Sequence, residues 1–276
     1  NLQMLIKQPD IFKKYLAEAN KGLTKEYFVV IDSRDRNYDL FSSTSQYEIE
    51  LNNVYKDIVS IELISAEIPH SGYIINAVKD DCIEDVINTL ESDIGAIEVI
   101  IFNLGAQIGD ISLKDLSYKQ FELGWRMATF ALFRTASTVF PLMEKRGKGT
   151  LIVTSSTASV RGNPKQHSHA SAMGGRRMLC QSLNAEYAPK GIHIAHIIVD
   201  GAVDAPDTLG RMLGPKNFQK LRESKGMEHD GLMLPAKIAD TYYHIAQQHR
   251  SVWTHELDMR SFSDSPWWND NNNSYI

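Results

Sequence analysis

Glycine is nearly missing from the first 77 residues: only Gly22 and Gly72 occur there, and the other fifteen of the seventeen follow. Cysteine is scarce throughout, with Cys82 and Cys180 alone. Two thiols exclude a disulfide framework and point to a reducing compartment, the cytoplasm. No apolar run reaches the roughly 18 residues that a membrane span needs, so no membrane partner is expected. Positive charge is not in excess either: 29 Lys and Arg against 34 Asp and Glu give a net charge of -5, with pI near 6.0. That balance argues against nucleic acid held by bulk basicity and against a polybasic membrane patch. The chain opens on Asn1, not methionine, and shows no secretory signal pattern, so a fragment is a fair reading. What remains is ordinary: 276 residues, 43% apolar and 23% charged, enough for a real core.

The distribution of glycine divides the chain. Before residue 78 the pattern is β-rich. Tyr27 to Ile31 is a strand-like apolar run, and Asp32 to Asp39 is polar and turn-like. Tyr47, Ile49 and Leu51 alternate with Gln46, Glu48 and Glu50, and Ile58 to Ile68 is a further β-branched stretch. Residues 1–23 read as a short lysine-bearing helix ending at Gly22. From about residue 78 the period becomes helical. Ile83, Val86, Ile87, Leu90 and Ile94 share one face, and Gly95 stands where that helix should stop. Then come a buried strand at Ile97–Phe102, a long helix from Tyr118 to Lys145 and a strand at Thr150–Thr154. A helix at Ser168–Ala188 and a strand at Ile192–Val199 follow. Helices near 215–224 and 235–248 precede a last strand at Val252–Met259. Regular alternation of strand and helix predicts an α/β fold: a parallel sheet with flanking helices. The asparagine-rich tail, 269–276, reads as disordered.

Several motifs fall in order along this second part. Asn103-Leu104-Gly105-Ala106 follows a buried strand, Thr154-Ser155-Ser156 ends the next, and Asp200-Gly201-Ala202-Val203 ends the third. In this, residues 78–268 resemble the short-chain dehydrogenase/reductase family from its fourth strand onward. The resemblance implies the C-terminal part of a Rossmann-like sheet and an NAD- or NADP-dependent oxidoreductase acting on a small carbonyl or alcohol. It implies a homo-oligomer, for which Trp253, Trp267 and Trp268 are candidate interface residues. It places Asn103, Gly105, Gly201 and Val203 at the cofactor, and Ser156 at the serine that holds the substrate oxygen. Counting the family's interval from Ser156 lands on His169 where a tyrosine is expected. The lysine position is Met173, and Ala128 takes the place of an asparagine. Histidine can act as acid or base near neutral pH, so Ser156 and His169 are the catalytic candidates. A methionine supplies no positive charge, so an impaired or inactive, degenerate site is expected. Asp200 stands where the family usually has proline, and Ala205 where it often has threonine.

The family's Thr-Gly-x-x-x-Gly-x-Gly phosphate loop is absent. The candidate first strand runs into Asp32-Ser33-Arg34-Asp35-Arg36-Asn37, whose side chains would fill a phosphate site. Residues 25–76, with IDSRDR before a strand ending in ELISAEIP, are similar instead to structural proteins of large DNA viruses. A chimeric chain joined near residues 76–80 is one expectation. A non-enzymatic structural or interaction protein is the alternative to an enzyme. No metal site is expected: His193 and His196 lie three apart on a strand and face opposite sides, and no cysteine lies near them.

Overall fold

The structure, a computed structural model, describes residues 27–32, 81–93, 95–105, 111–210, 213–225 and 230–269. The expected helix at 1–23, the strands at 47–51 and 58–68, Arg34 and Arg36, the join near 76–80 and the tail from 270 lie outside the described residues.

Five strands form one parallel sheet in chain order: β1 (Tyr27–Asp32), β2 (Ile97–Asn103), β3 (Gly149–Ser156), β4 (Ile192–Val199) and β5 (Glu256–Met259). The helices between them are α1 (Cys82–Asp93), α2 (Tyr118–Trp125), α3 (Ala131–Arg146), α4 (His167–Tyr187), α5 (Pro215–Lys225) and α6 (Pro235–Ala246). This is the Rossmann-like α/β architecture that the alternating pattern predicts. β1 pairs with β2 from Tyr27 to Asp32, so β2 is not a bare edge. A strand buried on both faces would otherwise invite edge-to-edge association.

The continuous apolar runs of β2, β3 and β4 follow from cover on both faces. Ile100, Phe102, Leu151, Val153, Ile192 and Ile194 pack with α1, α3 and α4. Ile152, Ala195 and Ile197 face the other way, onto Tyr242 and Ile245 of α6. Each such fully buried side chain contributes roughly 1.5–3 kcal/mol. Ser117 opens α2 with a capping box: its hydroxyl accepts from the Gln120 N–H, and the Gln120 side chain accepts from the Ser117 N–H. The long helix read from 118 to 145 is present but interrupted by a π-helical turn at Arg126–Phe130. Gly191, at φ +89°, turns the chain into β4, and a Cβ there would overlap the carbonyl of Gly147.

One boundary needs correction. The last strand starts at Glu256, not Val252. Residues 250–252 form a 3₁₀ turn capped by His249, and the Gln248 side chain accepts from the Thr254 N–H at 2.8 Å. These local partners satisfy the backbone before the ladder begins. Trp253 stacks on His193, with centroids 5.0 Å apart.

His196 is fully buried, with Nδ1 3.2 Å from Glu256 Oε2, and Arg177 grips the same carboxylate at 2.7 and 2.8 Å. Burial pushes the His196 imidazole down to about 4, and the Arg177 guanidinium holds Glu256 below its ordinary range. Both folded values lie below the unfolded ones, so this stability is present above the unfolded values and is lost as pH falls through the folded ones. The melting temperature should therefore drop between pH 6.5 and pH 4. The His196 contribution is on the order of 3 kcal/mol. Thermal denaturation across this range, with His196→Asn showing a shallower drop, checks it.

Candidate active site

The sequence-predicted residues gather at the C-terminal edge of the sheet, where open α/β folds bind ligands. Ser156 is the last residue of β3, in extended conformation. A 3₁₀ turn at Thr157–Ser159 follows it, tied by the Ser159 hydroxyl donating to the Ser156 carbonyl at 2.7 Å. His169 lies in the first turn of α4, whose start is anchored to α2 by the Ser168 hydroxyl donating to the Phe121 carbonyl at 3.0 Å. The two meet: Ser156 Oγ lies 3.3 Å from His169 Nε2, and His169 is buried.

One turn along α4, Met173 is 4% exposed and packs with Ala128, Ala158 and Ala172. The Ser155 hydroxyl lies 3.9 Å from its sulfur. The two positions at which the resemblance calls for an ammonium and an amide are thus filled by an apolar cluster.

Asn103 ends β2, and Gly105 follows it. A Cβ on Gly105 would meet only the Met173 methyl, at 3.8 Å, so the backbone there is open to close approach. Gly201 is different. A Cβ there would lie 3.0 Å from Asp264 Oδ2 and 3.3 Å from Met233 Sδ. Val203 bridges to Met233, and its carbonyl accepts from the Ala205 N–H at 2.7 Å. A dinucleotide therefore fits the donor set at Asn103 and Gly105, while Met173 offers nothing to a ribose hydroxyl. The expected phosphate-site positions 33–37 lie outside the described residues.

The residue that sequence reasoning missed is Arg176. It is 1% exposed, yet carries a charge. Nε donates to the Ala128 carbonyl at 2.9 Å and Nη1 to the Thr154 carbonyl at 2.7 Å. Nη2 donates to the Leu104 carbonyl, and the guanidinium lies over the Phe102 ring, 5.1 Å from its centroid. Burial pushes it down to about 10, which leaves it protonated at neutral pH. A signal was available: His169, Ala172, Met173, Arg176 and Cys180 fall on one helical face, all buried. An arginine in phase with that stripe is a buried arginine. Among the described residues no cluster of three or more His, Cys, Asp or Glu could hold a metal ion. No helix among them is long and apolar enough to cross a membrane.

Replacing Arg176 by methionine should leave three buried carbonyls unpaired, at about 1–3 kcal/mol each before relaxation. Denaturant unfolding should report a loss of several kcal/mol, whereas Ser156→Ala should change stability by less than about 1 kcal/mol.

Comparison with known proteins agrees with this geometry. The profile of the short chain dehydrogenase family matches residues 61–208, more than half of the chain. Over 136 residues the chain is 24% identical to a 3-oxoacyl-acyl-carrier-protein reductase of Thermotoga maritima, covering 49% of this chain and 54% of that protein. The chain spans about half the length of the curated relatives it matches. A short-chain dehydrogenase of Rhodopseudomonas palustris superposes with a TM-score of 0.65 at 24% identity, covering 93% of this chain and 94% of that one. An alcohol dehydrogenase of Thermococcus sibiricus, solved with 5-hydroxy-NADP, superposes with a TM-score of 0.65 at 18% identity and 93% coverage of each chain. These structural likenesses show the fold. The profile match shows the ancestry: the chain belongs to the short-chain dehydrogenase family.

Proposed function

We propose that this chain is a slow NAD- or NADP-dependent oxidoreductase of a small carbonyl or alcohol, in which Ser156 and His169 handle the proton. The observation that carries this reading is the 3.3 Å contact between Ser156 Oγ and His169 Nε2 at the end of β3. When bound, the nicotinamide supplies or accepts the hydride. Asn103 and Gly105 offer open backbone to its adenosine side, and Gly201 and Val203 flank the opposite end of the crevice. Ser156 orients the substrate oxygen by hydrogen bonding. Protonated His169 gives its proton to that oxygen during reduction, and neutral His169 takes it during oxidation. Met173 adds no positive charge, so nothing at that position favours an anionic intermediate, and the rate stays low.

The test is turnover as a function of pH. With a histidine as the acid, reduction should slow as pH rises through the histidine range, roughly 5 to 8, and oxidation should accelerate over the same range. His169→Phe should remove at least ~100-fold of the rate and flatten both profiles. A chain that neither turns over nor binds either dinucleotide contradicts this reading and favours a structural or interaction protein.

The family ancestry supports a homo-oligomer. Trp125 stacks on Phe130 at 5.5 Å and Phe130 on Phe133 at 6.2 Å, with Trp125 and Phe133 substantially exposed on the outer side of the long helical run. An exposed aromatic ladder of this kind suits a second copy of the chain. Light scattering should report a dimer or larger, and Trp125→Asp with Phe133→Asp should yield monomers. A monomeric parent chain contradicts the assembly. The two thiols support a reducing, cytoplasmic setting: Cys180 is buried, with its thiol pushed up to about 12. The glycine distribution supports a separate origin for residues 1–77, with β1 filling the sheet position beside β2. The family match opens at residue 61, which favours a join upstream of the change of pattern at 78. A sequencing read across the codons for residues 60–95 with a glycine-rich loop upstream would contradict a join.

A further inference from the structure

We infer that Asp200 is a latch, a positioning residue that holds the segment Arg260–Trp268 as a wall of the site. Asp200 follows β4 directly and is 4% exposed. Its carboxylate accepts from Arg260 Nε at 3.1 Å and from the Trp267 backbone N–H at 3.0 Å. Both partners come from the C-terminal segment. A buried carboxylate needs such partners, so the segment cannot leave without stranding a charge.

The position itself departs from the family, where proline is usual. Proline would remove two things at once. It has no N–H, whereas the Asp200 N–H donates to the Met259 carbonyl at 2.8 Å and adds a rung to the β4–β5 ladder. It also has no carboxylate to catch the segment.

From this anchor the segment reaches three parts of the site. Arg161, in the loop after Ser156, donates to the Trp267 carbonyl at 3.0 Å. Trp267 Nε1 donates to Asp258, beside β5, at 3.1 Å. Asp264 pairs with Lys225 at the end of α5 at 2.6 Å, and its other oxygen sits against Gly201. One buried carboxylate thus fixes the segment, and the segment in turn fixes α5 over the C-terminal edge of the sheet. That this wall serves a substrate rests on the oxidoreductase reading above; the latch itself does not.

Hydrogen exchange on the full chain, read by mass spectrometry, tests both links. Asp200→Ala should raise exchange about tenfold or more in 260–269 and also in 215–225, while β3 and β4 stay protected. Asp264→Ala should raise exchange in 215–225 alone. Asp200→Asn keeps an acceptor for the Trp267 N–H but loses the ion pair with Arg260, and should fall between parent and Asp200→Ala. A segment as protected in Asp200→Ala as in the parent overturns the latch. A loosened segment with an unchanged α5 overturns the link to that helix. If Asp200→Ala fails to fold, the decision passes to Asp200→Asn and to acrylamide quenching of Trp267 and Trp268 in a Trp125→Phe, Trp253→Phe background. Quenching no greater in Asp200→Asn than in the parent overturns the latch. None of these readouts requires turnover or a dinucleotide. Where turnover is present, Asp200→Ala should raise the substrate KM several-fold with kcat little changed; a fall in kcat alone contradicts the role in positioning.

Discussion

A single guanidinium, that of Arg176, accepts responsibility for three backbone carbonyls that would otherwise be buried without partners. Leu104 lies after β2, Thr154 lies within β3, and Ala128 lies in the π-helical turn of the long helical run. These are the three elements that line the candidate site from below. The charge stays on the guanidinium because donating to three oxygens and lying over Phe102 offset much of the desolvation. The spacing between the ends of β2 and β3, and so between Gly105 and Ser156, depends on this one side chain. Gly175 beside it lets α4 come close to Thr129, whose hydroxyl donates to the Ala172 carbonyl at 2.6 Å.

The chemistry above that floor has been reshaped in one direction. The pair Ser156–His169 keeps a hydroxyl and a titratable group in contact. Around it, Met173 and Ala128 turn what the family resemblance marks as a cationic, amide-bearing wall into an apolar one. Polar function has moved outward, to the carboxylates of Asp200, Asp258 and Asp264 and their partners on the C-terminal segment. The site is held by ion pairs at its rim and by a buried cation at its base, with little charge between them.

Much of the fold was readable because β2, β3 and β4 are unbroken apolar runs and α1 carries a clean helical stripe ended at Gly95. The order of strand-end motifs located Ser156, Asn103, Gly105 and Gly201 on one edge of the sheet. The last strand misread by four residues because Gln248 and His249 satisfy the backbone of 250–254 with side chains, which periodicity does not register. Arg176 was hidden by its type: an arginine is expected at the surface, and only its phase with His169, Met173 and Cys180 betrays it. The role of Asp200 could not be read at all, since its partners lie some sixty residues away in sequence.

The central claim is that the site keeps a proton-handling pair but lacks the cation that would grip a nicotinamide ribose. Calorimetric titration of the parent chain and of Met173→Lys with NADH and NADPH tests it most directly. The account predicts weak binding by the parent and binding at least ~10-fold tighter by Met173→Lys, the gain of about 1.4 kcal/mol expected from one charge-assisted hydrogen bond. Equal affinity in the two proteins, or no binding by either, would contradict it.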